Sequence, residues 1–277
     1  MSYEELSWKS RDGVSIYGCR WMPEGEPVAA VGIVHGLGEH CGAYAHVASF
    51  FTERGFAVIA FDQRGHGRTE GRRGDCPGYD ALLEPVERIV EDMQRRWPGL
   101  PRFLFCHSMG GNVALNFMLR RRPPLAGAVV AGPWLKLAPA PPPAKLLWGR
   151  LRERMQPGYR LVGANRRGTS DPDMQRRYDE DPLRHGRITL RTFAAVSQAG
   201  RWALSHAPEL SVPLLLMHGG SDRITSPRAS RRFAQRAGER CSYREWPGFR
   251  HELHAEAGRQ EVLACAADWM LGRCGNS

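Results

Sequence analysis

The segment from Arg102 to Ala114 (RFLFCHSMGGNVA) sets an apolar run directly before a serine, with glycine two residues further on and a helix-forming stretch beginning at once. Such an arrangement builds a nucleophile elbow. The serine occupies a tight strand-to-helix turn with its hydroxyl exposed, and small neighbours let the chain pass close to itself. The same turn aims helix-start N–H groups at the place where negative charge develops when a carbonyl is attacked. Ser108 is therefore the expected nucleophile. The full pattern is G-x-S-x-G, and its first glycine is here Cys106, so either the fit between strand and helix loosens slightly or the cysteine side chain points into the core. An elbow centred on Cys106 itself would need a small residue at 104, where the chain has leucine.

A serine hydroxyl attacks only when a base removes its proton and a third group orients that base. Val212 to Asp222 (VPLLLMHGGSD) reads as a buried strand running into a glycine-rich loop that presents Asp222, with helix capping near Ser226 as the competing use of that carboxylate. In Pro247 to Glu256 (PGFRHELHAE), two histidines compete for the base. His251, on the loop just after the last strand, is better placed to reach the serine than His254, a turn further along. His107 faces away from Ser108 on an extended chain and is expected either to pack or to support the site from behind, and His185, His206 and His218 have no motif around them. The loop His35-Gly-Leu-Gly38 follows a strand, so the backbone N–H of Leu37, with that of Met109 after the nucleophile, makes a pair that could hold an oxyanion.

These loops need a sheet beneath them. Glu4 to Trp8 and Val14 to Trp21 read as an antiparallel hairpin. Short apolar runs then follow at Val28 to Val34, Ala57 to Phe61, Phe103 to Cys106, Gly127 to Ala131 and Pro213 to Met217, as expected of parallel strands covered on both faces, with Ser242 to Trp246 as an edge. Helical periods lie between them, at Tyr44 to Arg54, Tyr79 to Trp97, Gly110 to Arg121, Pro227 to Ala237 and Ala255 to Leu271. The alternation predicts an α/β fold, a doubly wound and mostly parallel sheet of eight strands flanked by helices. Residues 134–206 break the rhythm. No convincing strand appears there, and the stretch reads as a helical cap inserted into a core made of residues 1–133 and 207–277. Leu147, Trp148, Leu151 and Phe193 fall at helical spacing and are the expected apolar roof of a pocket; simple packing onto the body would give the same stripe.

Composition narrows the classes. The 277 residues carry 39 basic and 29 acidic side chains, net +10, almost all of the basic ones arginine. The arginines are scattered in pairs, which argues against a nucleic-acid tract, although eight of them lie between Arg150 and Arg177 in the cap. That density is either a solvated surface or a face attracted to anionic lipid. Seven cysteines without CxxC or CxxH spacing point to reduced thiols in a cytoplasmic protein and to no zinc. No run of 18 apolar residues and no leader-like start are present. Neither a metal nor a cofactor is expected.

Taken together, His35-Gly-Leu-Gly-Glu-His40, Phe61 to Gly74 (FDQRGHGRTEGRRG), His107-Ser-Met-Gly-Gly111, Ser221 to Pro227 (SDRITSP) and His251 to Glu256 (HELHAE) resemble the monoacylglycerol lipase and lysophospholipase branch of the α/β-hydrolase superfamily. The resemblance spans nearly all of the chain outside the cap. It implies Ser108, Asp222 and His251 as the catalytic triad, the amides of Leu37 and Met109 as the oxyanion hole, and Arg64 and His66 as braces of the site. The implied activity is cofactor-free hydrolysis of a monoacylglycerol or similar single-chain lipid ester through an acyl-serine intermediate. Cys106, Gln63 and Thr69 depart from the pattern. The alternatives are a short-chain carboxylesterase, an aminopeptidase-type relative using cap carboxylates among Asp171, Asp173, Asp179, Glu180 and Asp181, and a binding protein that kept only the fold.

Overall fold

The computed structural model describes residues 1–139, 142–156, 158–162 and 167–275. Eight strands form one sheet: β1 (Ser2–Lys9), β2 (Ser15–Met22), β3 (Ala29–Val34), β4 (Phe56–Phe61), β5 (Arg102–His107), β6 (Gly127–Ala131), β9 (Leu214–Gly219) and β10 (Cys241–Trp246). Their order is β1-β2-β4-β3-β5-β6-β9-β10. The β1–β2 and β2–β4 pairings are antiparallel and the others parallel. The sheet is thus the α/β-hydrolase sheet expected from the sequence.

Every residue of β3, β4, β6 and β9 is buried, as the apolar runs require, because helices cover both faces. Alternate residues feed two cores. Val34, Leu104, Cys106, Val130 and Leu216 pack with α2 (Asp80–Arg96), α3 (Ser108–Arg121) and α7 (Pro227–Ala237). Ile33, Phe103, Phe105, Val129 and Met217 pack with α1 (Ala45–Thr52) and α8 (Arg259–Leu271) on the opposite face. The α7 start shows the local logic: Ser226 Oγ accepts from Ala229 N at 3.3 Å, and Pro227 opens the first turn.

Between β6 and β9 lie α4 (Pro143–Met155), β7 (Arg160–Val162), α5 (Pro172–Glu180), β8 (Arg187–Thr189) and α6 (Leu190–His206). The expectation that this stretch contains no strand is corrected here: β7 and β8 pair antiparallel. Three residues are too few to display an alternating pattern, so the ribbon leaves no trace in the periodicity. Helix α5 also escapes a periodicity search because Met174 is its single buried residue; its sequence signal is the N-cap Asp171, accepting from Asp173 N at 2.9 Å, followed by Pro172.

The insertion is stitched to the body at several places, among them residues 168–171, where Gly168 O accepts from Glu252 N at 2.8 Å and Thr169 Oγ1 donates to Ala255 O at 2.8 Å. His185 N donates to Gly38 O and Thr189 N to Gly74 O, both at 3.0 Å. Asp181 pairs with His40 at 2.7 Å, and Asp75 accepts from Thr189 Oγ1 at 2.8 Å and from Arg191 Nε at 2.6 Å. Further on, Asn112 and Asn116 of α3 donate to Val196 O and Ala199 O of α6 at 3.1 and 3.2 Å.

Candidate active site

Strand β5 ends at His107 and α3 begins at the next residue. Ser108 takes a φ of +54° there, a left-handed conformation that costs a non-glycine residue about 1–3 kcal/mol and persists only where the surroundings hold it. The turn is tight enough that a Cβ on Gly110 would run into the carbonyl oxygens of Val34 and His35 at the end of β3. Cys106 meets the same crowding differently: its side chain turns into the core, fully buried, and burial pushes its thiol pKa upward. A thiol held neutral away from solvent is not a nucleophile.

The loops after β9 and β10 bring the other two residues to this turn. His251 Nε2 lies 2.9 Å from Ser108 Oγ, and His251 Nδ1 lies 2.7 Å from Asp222 Oδ2. Asp222 receives more than the histidine. Its Oδ1 accepts from Ile224 N at 2.7 Å and Thr225 N at 3.0 Å, and its Oδ2 also accepts from Thr225 Oγ1 at 2.8 Å and His218 Nε2 at 3.0 Å. Burial alone would raise this carboxyl; the two imidazoles around it outweigh burial and hold it well below the usual carboxylate range. His218, which had no motif to recommend it, is in turn held by Ser230 Oγ at 2.8 Å. A histidine four residues before the acid, at a strand end, is the sequence signal that would have found it.

His107 also does more than pack. Its Nε2 lies 3.2 Å from His251 O, and its Nδ1 lies 3.2 Å from Glu39 Oε1. Glu39 Oε2 accepts from Gly36 N and from Tyr44 Oη, each at 2.6 Å. One buried carboxylate therefore fixes the loop bearing Leu37 and, through His107, the loop bearing His251. Burial opposes charge on both partners, yet their mutual attraction prevails: Glu39 sits well below its usual range and His107 above its own. His254 is buried against Tyr44, ring centroids 4.5 Å apart, and burial drives its pKa well down. Of the two expected braces, His66 lies between His35 and His185, with centroids at 5.4 and 4.7 Å. Arg64 instead pairs with Asp12 in the β1–β2 turn.

Ser108 and His251 border a cavity of about 710 Å³ with a mixed lining. Leu37, Trp134, Leu137, Ile188, Phe193 and Ile224 are its apolar residues; Glu39, Gln175, Tyr178, Asp179, Asp181, Arg184 and Glu252 are polar, and among these Arg184 joins Glu39, Tyr178 and Glu252 in one cluster. Phe193 packs edge-on against Trp134, centroids 5.4 Å apart. Trp148 and Leu151 do not join it: they are 50% and 58% exposed on α4, because helical spacing marks a stripe without saying which way it faces. The Leu147 side chain lies outside the described residues. A neighbouring cleft of about 840 Å³ reaches His251 and Asp222 but not Ser108, and Arg167, Arg223 and Arg250 line it. Among the described residues, no group of three or more His, Cys, Asp or Glu side chains is placed to hold a metal ion, and no helix is long and apolar enough to cross a membrane.

A family model described as serine aminopeptidase, S33 matches residues 25–258. An uncharacterized abhydrolase domain-containing protein of Dictyostelium discoideum is 33% identical over 93% of this chain, which spans only 28% of that relative's length. The monoacylglycerol lipase of Mycolicibacterium smegmatis is 30% identical over 96% of both chains. Among solved structures, the monoacylglycerol lipase of Paleococcus ferrophilus superposes with a TM-score of 0.84 at 29% identity, over 93% of this chain and 99% of that one.

Proposed function

The chain belongs to the serine aminopeptidase S33 family of α/β-hydrolases, and from that premise we propose that it cleaves monoacylglycerols or similar single-chain lipid esters through an acyl-enzyme on Ser108. The observation that carries the reading is the continuous hydrogen-bonded line from Ser108 through His251 to Asp222, opening on a cavity lined by both apolar and polar side chains. An ester with a hydrocarbon acyl chain and a hydroxylated alcohol matches both kinds of lining.

In the first step His251 Nε2 takes the proton of Ser108 as Oγ bonds to the ester carbonyl carbon. The carbonyl oxygen becomes an oxyanion, received by the N–H groups of Leu37 and Met109. Collapse expels the alcohol, which leaves with the proton from His251. Water then attacks the acyl-serine, giving its proton to His251, and the fatty acid departs as Ser108 recovers its own. Asp222 keeps Nδ1 protonated, so Nε2 stays free to accept. Residues 134–206 act as the cap over a core of residues 1–133 and 207–277.

The aminopeptidase reading asks for a carboxylate to hold a substrate ammonium. Glu39, Asp181 and Glu252 each already face a basic side chain, His107, His40 and Arg184, which leaves that reading the exposed Asp179, bonded to the Gln175 amide. The arginine-lined cleft beside the site, and exposed Trp148 and Leu151 on α4, support transient contact with an anionic lipid surface. The seven free cysteines support a cytoplasmic setting.

The test is covalent labelling with a fluorophosphonate, read by peptide mass spectrometry, beside turnover of 1-monoacylglycerol. The adduct belongs on Ser108, and Ser108→Ala should lose turnover by on the order of 10⁶-fold. An adduct on any other residue, or glyceride hydrolysis that survives Ser108→Ala, overturns the mechanism.

A further inference from the structure

The polar cluster in the cavity lining holds an ion pair that is only half used. Arg184, from the segment between α5 and β8, reaches Glu252, the residue after His251, with Nη2 at 3.1 Å from Oε1. Its guanidinium lies over the Tyr178 ring, 3.6 Å from the centroid. The other halves of both groups, Arg184 Nη1 and Glu252 Oε2, are buried and have no hydrogen-bond partner among the described residues. Glu252 is only 8% exposed. Buried polar atoms are nearly always paired, and leaving charged ones unpaired is costly. An ion pair that closes one contact and leaves a strong donor and a strong acceptor unpaired, on residues that line the cavity bordered by Ser108, is built to receive something.

Charge balance says what. Arg184 faces Glu252 at 3.1 Å and Glu39 at 3.9 Å, and Glu39 also faces His107, so this cluster offers no uncompensated charge to an ammonium or a phosphate; the exposed Asp179 is bonded to Gln175 instead. Beside the Tyr178 hydroxyl, which is also buried without a partner among the described residues, it offers one N–H and one carboxylate oxygen. Hydroxyl groups satisfy both, one accepting from Arg184 Nη1 and one donating to Glu252 Oε2. We infer that Arg184 and Glu252 form a specificity pair that recognises two free hydroxyls on the leaving alcohol, selecting esters of neutral polyols over esters of simple alcohols. This rests on the ester-hydrolase reading and deepens it. Because the alcohol leaves by taking a proton from His251, its place is beside His251, where Glu252 is the next residue along the chain.

The experiment compares the decanoyl esters of glycerol and of 1-propanol, alike in acyl chain and carbon count and different in two hydroxyls. Each hydroxyl read by a buried charged group should contribute about tenfold or more, so kcat/KM for the glyceride should exceed that for the propyl ester by about 100-fold. Glu252→Gln and Arg184→Met should each reduce that ratio by about tenfold or more, with thermal melts confirming that the variants fold. If a variant does not fold, the ratio in the unaltered enzyme decides the matter. Equal kcat/KM for the two esters in the unaltered enzyme would mean that water alone satisfies the pair, and would overturn the inference while leaving the hydrolase intact. Variants that slow both esters by one factor make the pair structural and overturn it too. An enzyme that cleaves neither ester removes the hydrolase reading and the subsite together.

Discussion

Replacing Asp222 with asparagine is an informative change because every contact to this carboxylate comes from a donor: Ile224 N and Thr225 N on Oδ1, and Thr225 Oγ1, His218 Nε2 and His251 Nδ1 on Oδ2. An amide brings two donors of its own, and its NH₂ group must face one of the two sets. Facing the loop, it would leave two backbone N–H groups without an acceptor, at about 1–3 kcal/mol each. Facing the imidazoles is cheaper, since His218 and His251 can each move a proton to the other ring nitrogen, and Ser230 Oγ can accept as readily as donate. The folded variant should therefore settle with His251 protonated on Nε2. That tautomer points a proton at Ser108 and cannot take one away. The expected loss is about 10⁴-fold in kcat, as for the same exchange in a dissected serine protease, equivalent to about 5.5 kcal/mol of barrier. Steady-state hydrolysis of a monoacylglycerol, with a urea melt to confirm folding, measures it. A folded variant that retains kcat within about tenfold of the parent would refute the assignment of Asp222 and the tautomer argument with it.

Three further expectations use the same structure. His251→Ala should abolish turnover, whereas His254→Ala should cost mainly stability, since that ring stacks on Tyr44; steady-state assays and melts on both variants check this, and reversed outcomes would move the base to His254. Across acetyl, butyryl, octanoyl and lauroyl monoglycerides, kcat/KM should rise by up to about 0.8 kcal/mol for each methylene buried against Trp134 and Phe193, and a flat series would remove the long-chain preference. Burial lowers the pKa of His35, His66 and His254 from 6.5, so the unfolded chain binds more protons than the folded one below that pH. Stability is fully present above pH 6.5 and declines as pH falls, each ring contributing at most about 1.4 kcal/mol per pH unit; His107, shifted upward, works in the opposite sense. Urea midpoints from pH 7.5 to 5 should fall, and a rising midpoint would contradict the buried neutral rings.

What could be read from the sequence was whatever lay on a single stretch of chain. Ser108 was legible because strand, serine and helix follow one another without a gap, and Asp222 and His251 because each follows a strand by a short loop. The contacts that support them join distant positions: Glu39 with His107 and Arg184 with Glu252 are both 68 residues apart. Nothing in either local pattern names its partner. The roof was half legible for a different reason. Phe193 lies on α6, whose apolar stripe has one body to pack against, but the stripe on α4 has two possible directions, and Trp148 and Leu151 took the one away from the pocket.

The seam between insertion and body means that the two ends of the insertion are not equally exchangeable. At Gly38, where φ is +76°, a Cβ would strike the His185 carbonyl, while the Gly38 carbonyl accepts the His185 amide. The loop that carries Leu37 is thus held by backbone from the insertion. A chimera that replaces residues 181–192 with a foreign segment removes this support from the loop, along with the partners of His40, Gly74 and Asp75, even if every side chain of the core is retained. Exchanging α4, whose Trp148 and Leu151 face outward, disturbs none of these bonds. Transplanting specificity between relatives on this scaffold therefore has a natural cut site at the end of α4, before Gly168 and Thr169 tie the chain to the loop of His251.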